Sequence, residues 1–174
     1  MNIGFLMTDG YDAREFAGPY DELQRRGVPG VVIGPVAGAE ITDKLGRASV
    51  HADWSAAQAL TANLTGLVIP GGHSPDRLRI LPEAVTLVAD LHRSGCMIAA
   101  ICHGPWLLIE AGVVTGKRVT SWRSVRTDLL NAGAHWVDEA VVEDGNLITS
   151  RCPDDIPAFT AAIATAIGER AGAA

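Results

Sequence analysis

Short runs of apolar and β-branched residues alternate along this chain with longer stretches whose apolar positions recur at helical spacing. Residues 3–7, 31–34, 66–70, 97–101, 119–121 and 147–150 predict strands. Residues 16–26, 56–59, 83–93, 105–111, 126–132 and 155–168 predict helices. Gly27, Gly95, Gly112 and Gly133 stand at the expected helix ends. Strand and helix in regular alternation predict an α/β fold, a mostly parallel sheet covered by helices on both faces. Residues 37–53, with Gly38, Gly46 and the alternating Ala48-Ser49-Val50-His51, read instead as a hairpin excursion from that sheet. No linker, repeat or low-complexity tract interrupts the chain before a short Ala-rich tail after Glu169, so residues 1–174 predict one domain.

In a parallel sheet, ligands bind beyond the carboxyl ends of the strands. The first strand is followed by Thr8-Asp9-Gly10-Tyr11-Asp12, the third by Gly71-Gly72-His73-Ser74-Pro75-Asp76-Arg77, and the fourth by Cys102-His103. A thiol, two carboxylates, two imidazoles and a glycine pair therefore stand in position to converge.

Cys102 is the leading candidate nucleophile. It sits at a strand-to-helix turn, Ile101-Cys102-His103-Gly104-Pro105, where unpaired amides favour an anion and Pro suits the first helical turn. Cys96 and Cys152 read as small apolar residues. Gly71-Gly72 lets the backbone approach a ligand, with amides that face a developing oxyanion together with the one after Cys102; the same pair also suits a bare tight turn. His103 acts as base or acid if the turn swings its ring back, and Asp76 is placed to orient that ring. Asp12 and Glu15 both follow the first strand. A protonated carboxyl there donates to the cysteine sulfur, whereas a solvated helix-start acid is the bland alternative; Glu15, in the more helical register, reads as structural.

Composition narrows the partners. Of 174 residues, 48% are hydrophobic, enough for one well-filled core. A net charge of −6 without a Lys/Arg block disfavours nucleic acid and anionic membrane surfaces and points to a small molecule or another protein. The first seven residues lack the basic start and long apolar run of a signal peptide, which predicts a cytoplasmic protein. Three scattered cysteines do not form a disulfide framework or a metal-finger spacing. His51, His92 and His135 have no metal-ligand spacing, and Gly112 to Lys117 falls one residue short of a phosphate loop. No metal and no cofactor is expected.

Taken in order, Val68-Ile69-Pro70-Gly71-Gly72, Pro75-Asp76-Arg77-Leu78-Arg79, Ile101-Cys102-His103-Gly104-Pro105, Ala111-Gly112-Val113, Thr120-Ser121, Asn131-Ala132-Gly133-Ala134, Trp136-Val137-Asp138, Asp144-Gly145-Asn146 and Ser150-Arg151 resemble the DJ-1/PfpI superfamily, specifically its PfpI-like branch. The resemblance runs nearly end to end. It implies a flavodoxin-like three-layer sandwich with a nucleophile elbow, a homo-oligomer, and a cofactor-free cysteine hydrolase of the peptidase, glyoxalase or deglycase kind acting on methylglyoxal or its adducts. By the same resemblance Cys102 is the nucleophile and His103 its partner. Gly72 and the His103 amide form the oxyanion site, Asp12 is the carboxylate beside the sulfur, and Asp76 reaches the histidine of a neighbouring subunit. Both carboxylate positions are then Asp where relatives carry Glu. An Asp near the nucleophile also resembles isocyanide hydratases, although those carry Thr after the Cys. A redox-sensing or chaperone-like role for Cys102 is the alternative outside enzymes.

Overall fold

The computed structural model describes residues 2–172; Met1 and the last two residues of the Ala-rich tail lie outside the described residues. In chain order the elements are β1 (Ile3–Leu6), α1 (Ala13–Arg25), β2 (Gly30–Gly34), β3 (Glu40–Thr42), β4 (Ser49–His51), β5 (Trp54–Ser55), α2 (Ala56–Ala59), β6 (Gly66–Ile69), α3 (Ser74–Leu78) and α4 (Pro82–Arg93). Then follow β7 (Met97–Ile101), α5 (Pro105–Glu110), β8 (Arg118–Val119), α6 (Arg126–Asn131), β9 (His135–Trp136), β10 (Val141–Asp144), β11 (Leu147–Ser150) and α7 (Ile156–Gly172).

Seven strands form the central sheet in the order β10-β11-β7-β6-β1-β2-β5. Every pairing within it is parallel except β10 with β11. The chain crosses to one side of β1 to make β2 and returns on the other side to make β6, so strand order reverses between β1 and β6. That reversal opens a crevice at the carboxyl ends of β1, β6 and β7.

Alternation along the strands divides the core between two faces. Ile3, Phe5, Val68, Met97, Ala99 and Ile101 join Phe16 and Leu23 of α1 and Phe159 and Ile163 of α7 on one face. Leu6, Leu67, Ile69, Ile98 and Ala100 join Leu87 and Val88 of α4 and Leu107 and Leu108 of α5 on the other. With both faces covered, the middle strands are apolar throughout, which is why they are legible as unbroken runs.

Two expectations change. The run at 119–121 does not enter the central sheet: β8 pairs with β9 in a separate two-stranded ribbon. Beyond Val119 the Thr120 amide donates to Thr149 Oγ1 at 2.9 Å, and the chain turns toward the crevice. The antiparallel edge strand β10 is an addition, returning through Gly145 to β11. The hairpin of residues 37–53 does form, as β3 against β4 outside the sheet, and an isolated bridge from Tyr11 to Asp43 lays its tip beside the end of β1.

Candidate active site at the carboxyl edge

Cys102 follows β7 directly and has φ 63, the only positive φ outside glycine among the described residues. A non-glycine residue in that region is strained, and such strain persists only where the surroundings hold it. Here the Cys102 amide donates to Ser150 O at 3.0 Å, its carbonyl accepts from Trp122 N–H at 2.9 Å, and Gly104 N–H closes the turn on Ile101 O at 2.8 Å. The elbow thus presents the thiol at the floor of a cavity of about 300 Å³ lined by Asp12, Glu15, Lys44, Gly72, His73 and Trp122, among others.

The turn does swing the imidazole back. His103 Nδ1 stands 3.3 Å from Cys102 Sγ, and the ring packs against Trp106 at 4.8 Å between centroids. Its Nε2 meets Ser124 Oγ at 3.2 Å. Burial first, then the His73 and Lys44 charges, hold His103 below the ordinary imidazole value. No hydrogen bond joins Asp76 to His103 within the chain; the two share only the walls of an adjoining depression with Arg77 and Trp106. Ser124, on the turn before α6, carried no signal in the sequence because only the return of the chain past Trp122 brings it to the ring.

The carboxylate beside the thiol is Glu15, not Asp12. Glu15 is fully buried, accepts the Gly71 amide on Oε2 at 2.7 Å, and faces the Cys102 sulfur. Asp12 is instead the N-cap of α1: its Oδ1 accepts the Arg14 amide at 3.0 Å, while its carboxylate takes the Arg14 fork and the Lys44 ammonium at 2.7 Å. A cap side chain folds back over the first turn, whereas the residue three positions on projects from the buried face. The signal was available: Glu15, Pro19 and Leu23 share the i, i+4, i+8 stripe with Phe16 beside it, and all four are buried. The position beside the sulfur therefore keeps the longer Glu side chain.

Burial pushes the Glu15 carboxyl up to about 7, with the Asp12 charge adding to it against the Gly71 hydrogen bond. Burial and the Glu15 charge push the Cys102 thiol up, while the His103 and Gly72 amides, both directed at the sulfur, pull it down. Two such groups titrate as a pair. A proton on Glu15 removes the charge that opposes the thiolate, leaving the two amides to favour it against burial, and Glu15 Oε1 is buried with no hydrogen-bond partner among the described residues.

The two glycines divide the work that the sequence left joined. Gly71 commits its amide to Glu15 and is not an oxyanion donor; a Cβ there would lie 2.7 Å from Glu15 Oε2 and 2.8 Å from Cys102 Cβ. Gly72, at φ +80 and packed against Gly10 and Tyr11, turns its own amide to the sulfur. His73 lines the cavity, fixed through its amide to Gly10 O at 2.8 Å. Cys96 and Cys152 are half-buried rather than fully packed, with Cys96 Sγ 3.4 Å from Leu64 O and Cys152 Sγ 3.6 Å from Asp155 Oδ2, and neither lines this cavity. Among the described residues no group of three or more His, Cys, Asp or Glu is placed to hold a metal ion, and no helix is long and apolar enough to cross a membrane.

The sequence pattern of the DJ-1/PfpI family matches residues 1–166. The chain belongs to the DJ-1/PfpI family. Protein/nucleic acid deglycase 2 of Escherichia coli is 43% identical over 158 residues, covering 90% of this chain and 92% of that protein. Deglycase PfpI of Pyrococcus furiosus is 38% identical over 159 residues, covering 91% and 95%. The crystal structure of an Anabaena variabilis protein with DJ-1/ThiJ/PfpI-like and ferritin-like domains superposes with a TM-score of 0.94 at 38% identity, over 97% of this chain and 50% of that one. This DJ-1/PfpI chain thus spans about half the length of that two-domain relative.

Proposed function

We propose that this DJ-1/PfpI protein is a cofactor-independent cysteine hydrolase of the deglycase or glyoxalase kind, acting on methylglyoxal-type carbonyls or their adducts. The observation that carries the reading is the strained Cys102 thiol set between the His103 ring, the proton-bearing Glu15 and two convergent amides. Relatives named as deglycases in Escherichia coli and Pyrococcus furiosus support it.

In the simplest sequence, the Cys102 sulfur forms a bond to the aldehyde carbon of methylglyoxal and the carbonyl electron pair moves to oxygen. That oxygen lies toward the Gly72 and His103 amides, donors preorganised for the charge it gains. His103 takes the proton from the former aldehyde carbon and returns it to the neighbouring carbonyl carbon, while the proton released by the thiol ends on that carbon's oxygen, leaving a lactyl thioester. Water cleaves the thioester, lactate leaves, and the sulfur recovers its proton. The net reaction adds one water and requires no outside oxidant or reductant. A cavity of about 300 Å³ suits such small substrates better than an extended peptide. Isocyanide hydration loses its premise, since the residue beside the thiol is Glu15 and the following residue is His103.

In a homo-oligomer, Asp76 of a neighbouring copy would reach His103 across the depression that this chain's own Asp76, Arg77 and Trp106 wall beside the ring. The reading is tested by following lactate release from methylglyoxal by the wild-type protein beside Cys102→Ser. Turnover lost in the variant supports it; turnover equal in both would overturn it.

A further inference from the structure

The mouth of the cavity carries two cations held by one acid. Lys44 lies on the tip of the β3–β4 hairpin, and that tip is fixed: Lys44 N–H donates to Tyr11 O at 2.9 Å, and the Asp43 carboxylate accepts the Leu45, Arg47 and Ala48 amides. Its ammonium is set against Asp12 at 2.7 Å, with one of its three donors taken among the described residues, and the side chain is 31% exposed. Arg14 grips the same carboxylate through Nε and Nη2, and its side chain is 66% exposed. Asp12 needs neither as a cap, because the Arg14 amide already serves that purpose. Two positive charges thus meet one fixed negative charge. The remaining ionisable groups of the cavity are the Glu15–Cys102 pair on its floor and the imidazoles of His73 and His103. Lys44 lines the same cavity as Glu15, Cys102 and His103, and its charge favours the ionised Glu15 and the neutral His103.

We propose that Lys44, with Arg14, reads an anionic group on the substrate, a carboxylate or phosphate carried beside the carbonyl that Cys102 attacks. This deepens the hydrolase reading and rests on it. The substrates favoured are carbonyl adducts on anionic carriers, in preference to the uncharged carbonyl alone. A hairpin tip, Asp43-Lys44-Leu45, then sets specificity without touching the reacting atoms.

The test uses two alkylating reagents that differ only in charge. Iodoacetate and iodoacetamide each form a sulfur–carbon bond with Cys102 and release iodide, so changes in thiol reactivity cancel in their rate ratio. Lys44→Met should lower the iodoacetate-to-iodoacetamide ratio about fivefold, the scale of one unit charge acting in a partly wet cavity. Lys44→Arg should keep it, and Asp12→Asn, which still caps α1, should raise it. Added salt should erode the wild-type preference. A ratio unchanged across all three variants would overturn the proposal. A second measurement needs no reactive thiol: in Cys102→Ser, lactate or inorganic phosphate should raise the melting temperature more than lactamide does, and adding Lys44→Met should remove the difference. Stabilisation by lactate assigns a carboxylate carrier and by phosphate a phosphate carrier; lactamide matching both would sink the idea. Neither measurement depends on turnover, so an inert enzyme with a charge-selective thiol would count against the hydrolase reading and not against the rim.

Discussion

Gly71 donates its amide to Glu15 Oε2 at 2.7 Å, and this hydrogen bond fixes which of two nearby acids stands beside the Cys102 thiol. It ties the start of α1 to the turn after β6 and leaves the other Glu15 oxygen, buried and without a hydrogen-bond partner among the described residues, open to a proton.

That proton makes stability depend on pH. Glu15 is raised from 4.5 to about 7, so the folded state binds more protons than the unfolded one between those values, and stability falls as pH rises through them. The full shift amounts to roughly 3 kcal/mol. Glu15→Gln lacks this titration, so its melting temperature relative to wild type should climb from pH 4.5 to 7 and level off above. A flat difference across that range would count against a buried, proton-bearing Glu15.

Gly72→Ala should be damaging for a backbone reason that Gly71→Ala, which is obstructed by Glu15 and Cys102, does not share. The position has φ +80, and a Cβ would press on the Gly10 carbonyl and stand 2.8 Å from the Asp12 amide nitrogen. Strain of about 1–3 kcal/mol in the backbone alone is expected, with the amide displaced from the sulfur. Denaturant unfolding should show lower stability, and kcat should fall by about a hundredfold or more, as for loss of an oxyanion donor. Wild-type kcat in a folded Gly72→Ala protein would remove that amide from the mechanism.

Ser124 is a positioning residue, since it touches the far nitrogen of the His103 ring and not the sulfur. Ser124→Ala should lower kcat by about tenfold with little change in KM and shift the acid limb of the pH profile, while Ser124→Thr, which keeps the hydroxyl, should restore both. Equal losses in the Ala and Thr variants would mark a packing defect.

The acid limb itself should lie below pH 6.5, because burial and then the His73 and Lys44 charges favour the neutral His103 ring. Removing one of those charges with Lys44→Met should move the limb toward higher pH, which a pH series of kcat/KM reads directly. A limb that stays in place would show that the Lys44 charge does not reach the ring.

Much of this was legible because buried parallel strands are apolar on both faces, so β1, β2, β6, β7 and β11 stand out as runs. The elbow was legible for a related reason: a cysteine between the apolar run of β7 and Gly104-Pro105 has little choice but to sit at a strand-to-helix turn. The 119–121 run misled because a short apolar run looks the same in a side ribbon as in the main sheet, and only pairing with β9 tells them apart.

Sequence by itself determined the α/β rhythm, the place of Cys102 at a strand-to-helix turn and the backbone freedom that Gly72 uses, since each follows from local periodicity or residue type. The α1 stripe marks Glu15 as core-facing, but the tertiary structure alone decided that this face meets the sulfur, that Ser124 and not Asp76 holds His103 within the chain, and that Lys44 comes to the cavity. Those depend on how α1 is rotated against the sheet and on where two distant loops return, contacts made across long stretches of chain that no spacing along it encodes.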